Sequence, residues 1–209
     1  MRYFNLPFYG YKINTSPFLN NFKSKCLIFS NAFSVTNATD PSLLSLYTGR
    51  YPRHVGLIHH GHHISAAELA SLKHHLFIQE IFLNHGYITV AIDFLHRWHR
   101  RGFKYYLDPL MYYGGYSLAE RTVYKIPLIR ELLVTFLLRV GGRYTPPKPS
   151  AEKVTKIALR VLERMARARR NFFLLIHYWD THMPYCPPRS LIDRFYEHNK
   201  QDYNRHFID

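Results

Sequence analysis

The chain has 209 residues and a mass of 24.9 kDa, a length suited to one α/β domain. Hydrophobic residues at 47% and charged residues at 20% exclude wholesale disorder, which needs few apolar groups and a high net charge. Against 14 Asp and Glu stand 28 Lys and Arg, a formal charge of +14 with 14 His in reserve, which favours polyanions, anionic lipid or acidic substrates and is silent about fold.

Met1–Gly10 has no apolar core of a secretory signal, and the first acid in the chain is Asp40. Cys26 and Cys186 form no metal or redox spacing and read as two free, buried thiols. Cys26–Val35 (CLIFSNAFSV) is apolar, aromatic and flanked by Lys and Asn, the pattern of a strand. Asp40-Pro41 then starts a helix, with Asp as N-cap, Pro at the first helical position, and Gly49 as the stop. His59–His63 (HHGHH) is a loop. Ala66–Asn84 reads as one helix, with Leu69, Leu72, Leu76, Ile81 and Leu83 near helical spacing and Gly86 beyond its end.

Tyr87–Phe94 (YITVAIDF) is a buried strand. Trp98–Tyr116 is rich in Gly and Tyr and reads as irregular. Leu118–Val140 is helical with an interruption at Pro127, and Arg130, Glu131 and Arg139 keep its apolar stretch short of a membrane span. Gly141–Pro149 is an internal linker loop within a single domain over residues 1–209. Ser150 caps a long helix to Arg170, whose apolar stripe is Val154, Ile157, Ala158, Val161, Leu162 and Met165. Phe172–Trp179 (FFLLIHYW) is another buried strand. Strands alternating with helices predict an α/β fold, a mostly parallel sheet with helices on both faces. With no leader and no span, the composition points to a soluble, cytoplasmic protein.

The informative stretch is Asn37–Gly56, NATDPSLLSLYTGRYPRHVG. Thr39 stands just before a helix start, where unpaired N–H groups and the helix dipole favour negative charge. A hydroxyl there serves as a nucleophile if a metal or a base activates it; otherwise Thr39 and Asp40 are only caps.

The order Thr39, Pro41, Ser42, Thr48, Gly49, Arg50, Pro52 and Gly56 resembles the signature of the sulfatases and their relatives in the alkaline phosphatase superfamily, nucleophile-x-Pro-Ser followed by Thr-Gly-Arg-x-Pro. Tyr9-Gly10-Tyr11 with Asn14-Thr15-Ser16-Pro17, and Phe29–Ser34, resemble the segments that precede it in that family. Downstream, Asp180-Thr181-His182-Met183-Pro184-Tyr185 is similar to the family's D-x-H-x-P-Y. The resemblance spans nearly the whole chain. It implies the N-terminal part of a sulfatase-like fold, an anionic sulfate or phosphate ester as substrate, Thr39 as nucleophile, and His182 as anion ligand or general acid. Arg50 and Asp180 follow as substrate-binding residues, Asp180 by orienting His182.

Three departures from the family pattern carry chemical weight. Sulfatases proper convert a Cys or Ser at the nucleophile position to formylglycine, and Thr39 closes that route; threonine nucleophiles belong to phosphodiesterase-like relatives. Leu43 replaces a common Arg, and Tyr87–Arg100 lacks a G-K-x-H segment. The family's divalent cation, Mg²⁺ or Ca²⁺, takes several oxygen ligands from acids at both ends of the domain. Met1–Lys25 has no acid, and Asp209 precedes the second acidic region, so both halves of the site are expected outside this sequence, with Thr39 the one ligand inside it. Weak or absent activity follows as the expectation, together with an unpaired sheet edge open to association.

The competing reading is a non-catalytic basic protein that binds polyanions such as nucleic acid, sulfated glycan or anionic lipid. The histidines at 54, 59, 60, 62, 63, 74 and 75 match no zinc spacing and read as a solvated loop. Helix Glu152–Arg170 has seven cations against two acids, read as a solvated face, and no nucleic-acid-binding motif accompanies it.

Overall fold

The computed structural model describes residues 3–112, 148–182, 185, 187 and 189–195. The chain divides into two compact units, one of Met1–Ser34 with Asp180–Asp209, the other Val35–Trp179. The first unit contains helix α1 (Pro17–Phe22), short 3-10 turns around it, and helix α8 (Arg189–Phe195).

The second unit contains α2 (Thr39–Thr48), α3 (Pro52–Val55), α4 (Ala66–Ser71), α5 (Ile78–Asn84), β1 (Ile88–Ile92), β2 (Tyr105–Leu107), α6 (Pro109–Tyr112), α7 (Ala151–Ala168) and β3 (Phe172–Ile176). The three strands form a parallel sheet in the order β2-β1-β3, with Val90 opposite Tyr105 on one side and Leu174 on the other. Alternation along β1 sends Ile88, Val90 and Ile92 to one face. There they pack on Val154, Ile157, Ala158 and Val161 of α7. The opposite face meets α5, where Phe82 stacks on Phe173 at 4.9 Å. Beyond it lies a second core of Leu44, Tyr47, Val55, Leu57, Leu72, Phe77 and Trp98. The parallel sheet with helices on both faces is therefore the observed architecture.

Several element expectations need correction. Cys26–Val35 is not a strand: its backbone makes no ladder, and Leu27, Phe29 and Phe33 are 88%, 71% and 86% exposed. An apolar, aromatic run makes a strand only where a neighbouring strand supplies hydrogen bonds. Cys26 is exposed rather than buried, and Cys186 lies outside the described residues. Ala66–Asn84 is two helices, not one. Between them the Arg101 guanidinium donates to the carbonyls of Leu72 and His75 at 2.5 and 2.8 Å, capturing acceptors that a continuous helix would have used internally. Trp98–Tyr116 contains a strand, β2, and a helical turn, α6. The helix expected over Leu118–Val140 and most of the linker Gly141–Pro149 fall outside the described residues.

Candidate active site

Helix α2 begins at Thr39, with Ala38 at the cap position contributing no side-chain hydrogen bond. Asp40 and Pro41 therefore sit inside the first turn, where the dipole favours a carboxylate and the missing proline N–H costs nothing. Asp40 is not the helix cap. Its carboxylate, 5% exposed, accepts from Gly61 N–H at 2.8 Å, Trp98 Nε1–H at 3.1 Å and His99 Nε2–H at 2.9 Å, and lies 2.6 Å from His60 Nδ1. Burial opposes its ionisation, but the hydrogen bonds from His99 and Gly61 outweigh that and hold its pKa at about 2. One acid thus ties the start of α2 to the His60–Gly61 loop and to the segment that leaves β1 at its carboxyl end.

That end of the sheet carries more buried acid. Asp93, directly after β1 and 1% exposed, accepts from His177 Nδ1 at 3.0 Å and from the Tyr106 hydroxyl. Burial opposes its charge, and these two donors keep it below the usual carboxylate range. Burial and the charge of Asp93 push the Tyr106 phenol up, so it stays a donor. Asp108, after β2, pairs with His96 Nε2 at 2.8 Å, and the Tyr106 hydroxyl accepts from His96 N–H at 2.9 Å. His96 has φ +56° and Arg97 φ +52°, a left-handed pair that these bonds hold in place.

The expected site residues are distributed as follows. Thr39 is half-buried at the start of α2, and its hydroxyl makes no hydrogen bond among the described residues. Arg50 is exposed past the other end of α2, whose ten residues span about 15 Å at a rise of 1.5 Å per residue. Asp180 and His182 belong to the other unit, where both are exposed. The histidine loop is not merely solvated: His60 is bonded to Asp40, and His59 Nδ1 lies 2.9 Å from Glu68 Oε1. A cleft of about 390 Å³ opens beside the start of α2, lined by Thr36, Pro41, Tyr51, Pro52, Arg53, His54 and Ile58.

Asp93, His96, His99, Tyr106, Asp108 and His177 were not singled out in the sequence. A usable signal was present: each strand is followed within one residue by an ionisable group, and parallel sheets place their ligand crevices at carboxyl ends.

A divalent cation does not fit the described residues. No group of three or more His, Cys, Asp or Glu is arranged among them to hold a metal ion, and the acid adjoining Thr39 has both oxygens engaged by protein donors.

The sulfatase family model matches residues 1–206. Iduronate 2-sulfatase of Homo sapiens is 25% identical over 192 residues, covering 87% of this chain and 34% of that protein. The Mus musculus protein of the same name is 24% identical over 190 residues, covering 87% and 33%. The chain spans about a third of the length of these curated relatives. No solved structure matches it significantly.

Proposed function

The chain belongs to the sulfatase family, and from that premise we propose that it acts on sulfate or phosphate esters with Thr39 as nucleophile and His182 as anion ligand or general acid. The observation that supports this reading most is the placement of Thr39. It is the first residue of a ten-residue helix whose start Asp40 fixes to the loop leaving β1. Backbone N–H groups and the dipole at that start favour negative charge on a hydroxyl oxygen or on an incoming ester. Asp40 holds the helix start still while this charge develops, which is how preorganised dipoles lower a barrier.

The family generally uses a divalent cation, which supplies charge neutralisation to nucleophile and ester when bound; the described residues do not provide for it. A threonine hydroxyl that makes no hydrogen bond among the described residues is a weak nucleophile near pH 7. Turnover by this chain alone is accordingly expected to be weak or absent unless acidic ligands come from outside it. Thr39 cannot become formylglycine by the Cys or Ser route, which favours phosphate esters as much as sulfate esters.

The test is turnover of p-nitrophenyl sulfate, p-nitrophenyl phosphate, bis(p-nitrophenyl) phosphate and iduronate 2-sulfate, the last taken from the relatives' name, with Mg²⁺, Ca²⁺ or Mn²⁺ added. Slow turnover that Thr39→Ala abolishes supports the assignment. A Thr39→Ala protein as fast as the parent removes Thr39 from the chemistry.

A further inference from the structure

The turn of α2 that carries Thr39 has beside it a group that the ester-hydrolase reading leaves unused. His60, in the loop between α3 and α4, places Nδ1 2.6 Å from Asp40 Oδ2, and Gly61 N–H donates to the same oxygen at 2.8 Å. Trp98 Nε1–H and His99 Nε2–H donate to the other oxygen, so the Asp40 carboxylate is an acceptor throughout. A ring nitrogen 2.6 Å from a carboxylate oxygen carries the proton between them. That fixes Nδ1–H and leaves the lone pair of the neutral imidazole on Nε2. The His60 side chain is 48% exposed, and Nε2 makes no hydrogen bond among the described residues. His99, the other imidazole on Asp40, has a side chain only 2% exposed and is closed to any substrate.

His60 is also close to the nucleophile. Its Nδ1 stands 3.3 Å from the Asp40 backbone nitrogen, which is about 2.4 Å from Thr39 Cα across the intervening peptide bond, so the ring comes within about 6 Å of that Cα. Ring and hydroxyl make no hydrogen bond to each other among the described residues; such bonds are often long in a free site and close when substrate binds. The described residues give Thr39 no set of cation ligands, whereas the same turn gives it a base whose orientation a buried carboxylate sets. Resting on Thr39 as the nucleophile, we infer that His60, oriented by Asp40, is the base that takes the proton from its hydroxyl. As Thr39 Oγ1 bonds to sulfur or phosphorus, Nε2 accepts that proton and the bond to the leaving oxygen breaks. The imidazolium then hands the proton to the departing alkoxide, which leaves as the alcohol while Thr39 stays esterified. Asp40 offsets the charge that the ring carries between the two transfers. Water, passing its proton through the same nitrogen to Thr39 Oγ1, then frees the sulfate or phosphate and restores the hydroxyl.

The experiment uses the full chain in EDTA and reads the hydroxyl itself, so it needs no turnover. The probe is phenylmethylsulfonyl fluoride: Thr39 Oγ1 bonds to its sulfur, fluoride leaves, and mass spectrometry follows the peptide that gains the phenylmethylsulfonyl group. The expected result is labelling of Thr39 that falls at least about ten-fold in His60→Asn, whose amide N–H still serves Asp40 Oδ2 but which has no basic nitrogen. His62→Asn, on the same loop, is expected to label like the parent. In His60→Ala, added imidazole is expected to restore part of the labelling, which a purely structural role of His60 would not allow. Circular dichroism checks that each variant folds. Nitrogen-15 spectra of the parent, expected to show Nδ1 protonated and Nε2 bare in the neutral ring, need no variant. The opposite tautomer, no label on Thr39 in the parent, or equal labelling of the parent and His60→Asn would each overturn the inference. The ester assays keep the two readings apart. Turnover lost in Thr39→Ala but unchanged in His60→Asn leaves Thr39 standing without this base, whereas His60-dependent labelling with no ester turned over leaves the base standing without the hydrolase.

Discussion

Asp40 is a buried carboxylate with four polar partners, and removing its charge leaves those partners facing a poor substitute. Asp40→Asn keeps the shape but turns an amide N–H₂ towards donors. A loss of about 2–4 kcal/mol in urea unfolding is expected, the range for breaking a buried charged network. Its pH dependence has a definite sign. The folded-state pKa is the lowered one, about 2 against an ordinary 3.8, so the unfolded chain takes up the proton first as pH falls. Stability from Asp40 is complete above about pH 4 and is lost between there and about pH 2, amounting to about 2 kcal/mol. Melting temperature followed from pH 6 downward is expected to fall in that window, and Asp40→Asn to fall less. Asp93 and Glu68, also held below their ordinary range, keep part of the acid limb in the variant. Identical acid limbs in parent and variant would count against the charged hub.

At the scale of elements, two glycines separate conformational strain from crowding. Gly49 ends α2 at φ +66° with nothing within 4 Å of where a Cβ would stand. Gly102 turns at φ +79° between the 3-10 turn after β1 and the start of β2, and a Cβ there would meet Gln79 Cγ and Glu80 Cγ at 2.7 Å and the Glu80 backbone nitrogen at 3.0 Å. Gly49→Ala is expected to cost about 1 kcal/mol, the left-handed penalty alone. Gly102→Ala adds a clash with α5 and is expected to cost about 3 kcal/mol, read as the difference in urea midpoints. Arg101 belongs to the same junction: it bonds Glu80 at 2.7 Å, Leu72 and His75 carbonyls, and lies over the Phe77 ring at 4.4 Å. Arg101→Lys is expected to lose about 2 kcal/mol, because one ammonium cannot serve three acceptors in a plane. A lysine variant as stable as the parent would show that the break between α4 and α5 needs no fork of donors.

Over the whole molecule the excess of 14 cations makes self-repulsion part of the stability. Raising NaCl from about 10 to 150 mM shortens the Debye length from about 30 to 8 Å, and the melting temperature at pH 7 is expected to rise by a few degrees. The rise is expected to be larger near pH 5.5, where histidines gain charge. A melting temperature indifferent to salt at both pH values would mean that opposite charges already offset the excess locally. Among the described residues no helix is long and apolar enough to cross a membrane.

Much of this protein was legible in its residue order. Val154 to Met165 at helical spacing, and the β-branched run at 88–92, depend only on local periodicity and burial, and both elements are present within two or three residues of their expected ends. The family was legible too, because Thr39 through Gly56 is a contiguous pattern. What tertiary structure alone decided was where long-range partners lie. Asp40 exchanged its expected role as cap for a place between loops 20 and 59 residues away, and Arg101, 26 residues from His75, interrupted a helix that periodicity had joined. Cys26–Val35 looked like a strand and is not one, since a strand is defined by its neighbour. Local preference is written in consecutive side chains, whereas a hydrogen bond across dozens of residues exists only once the chain has folded back on itself.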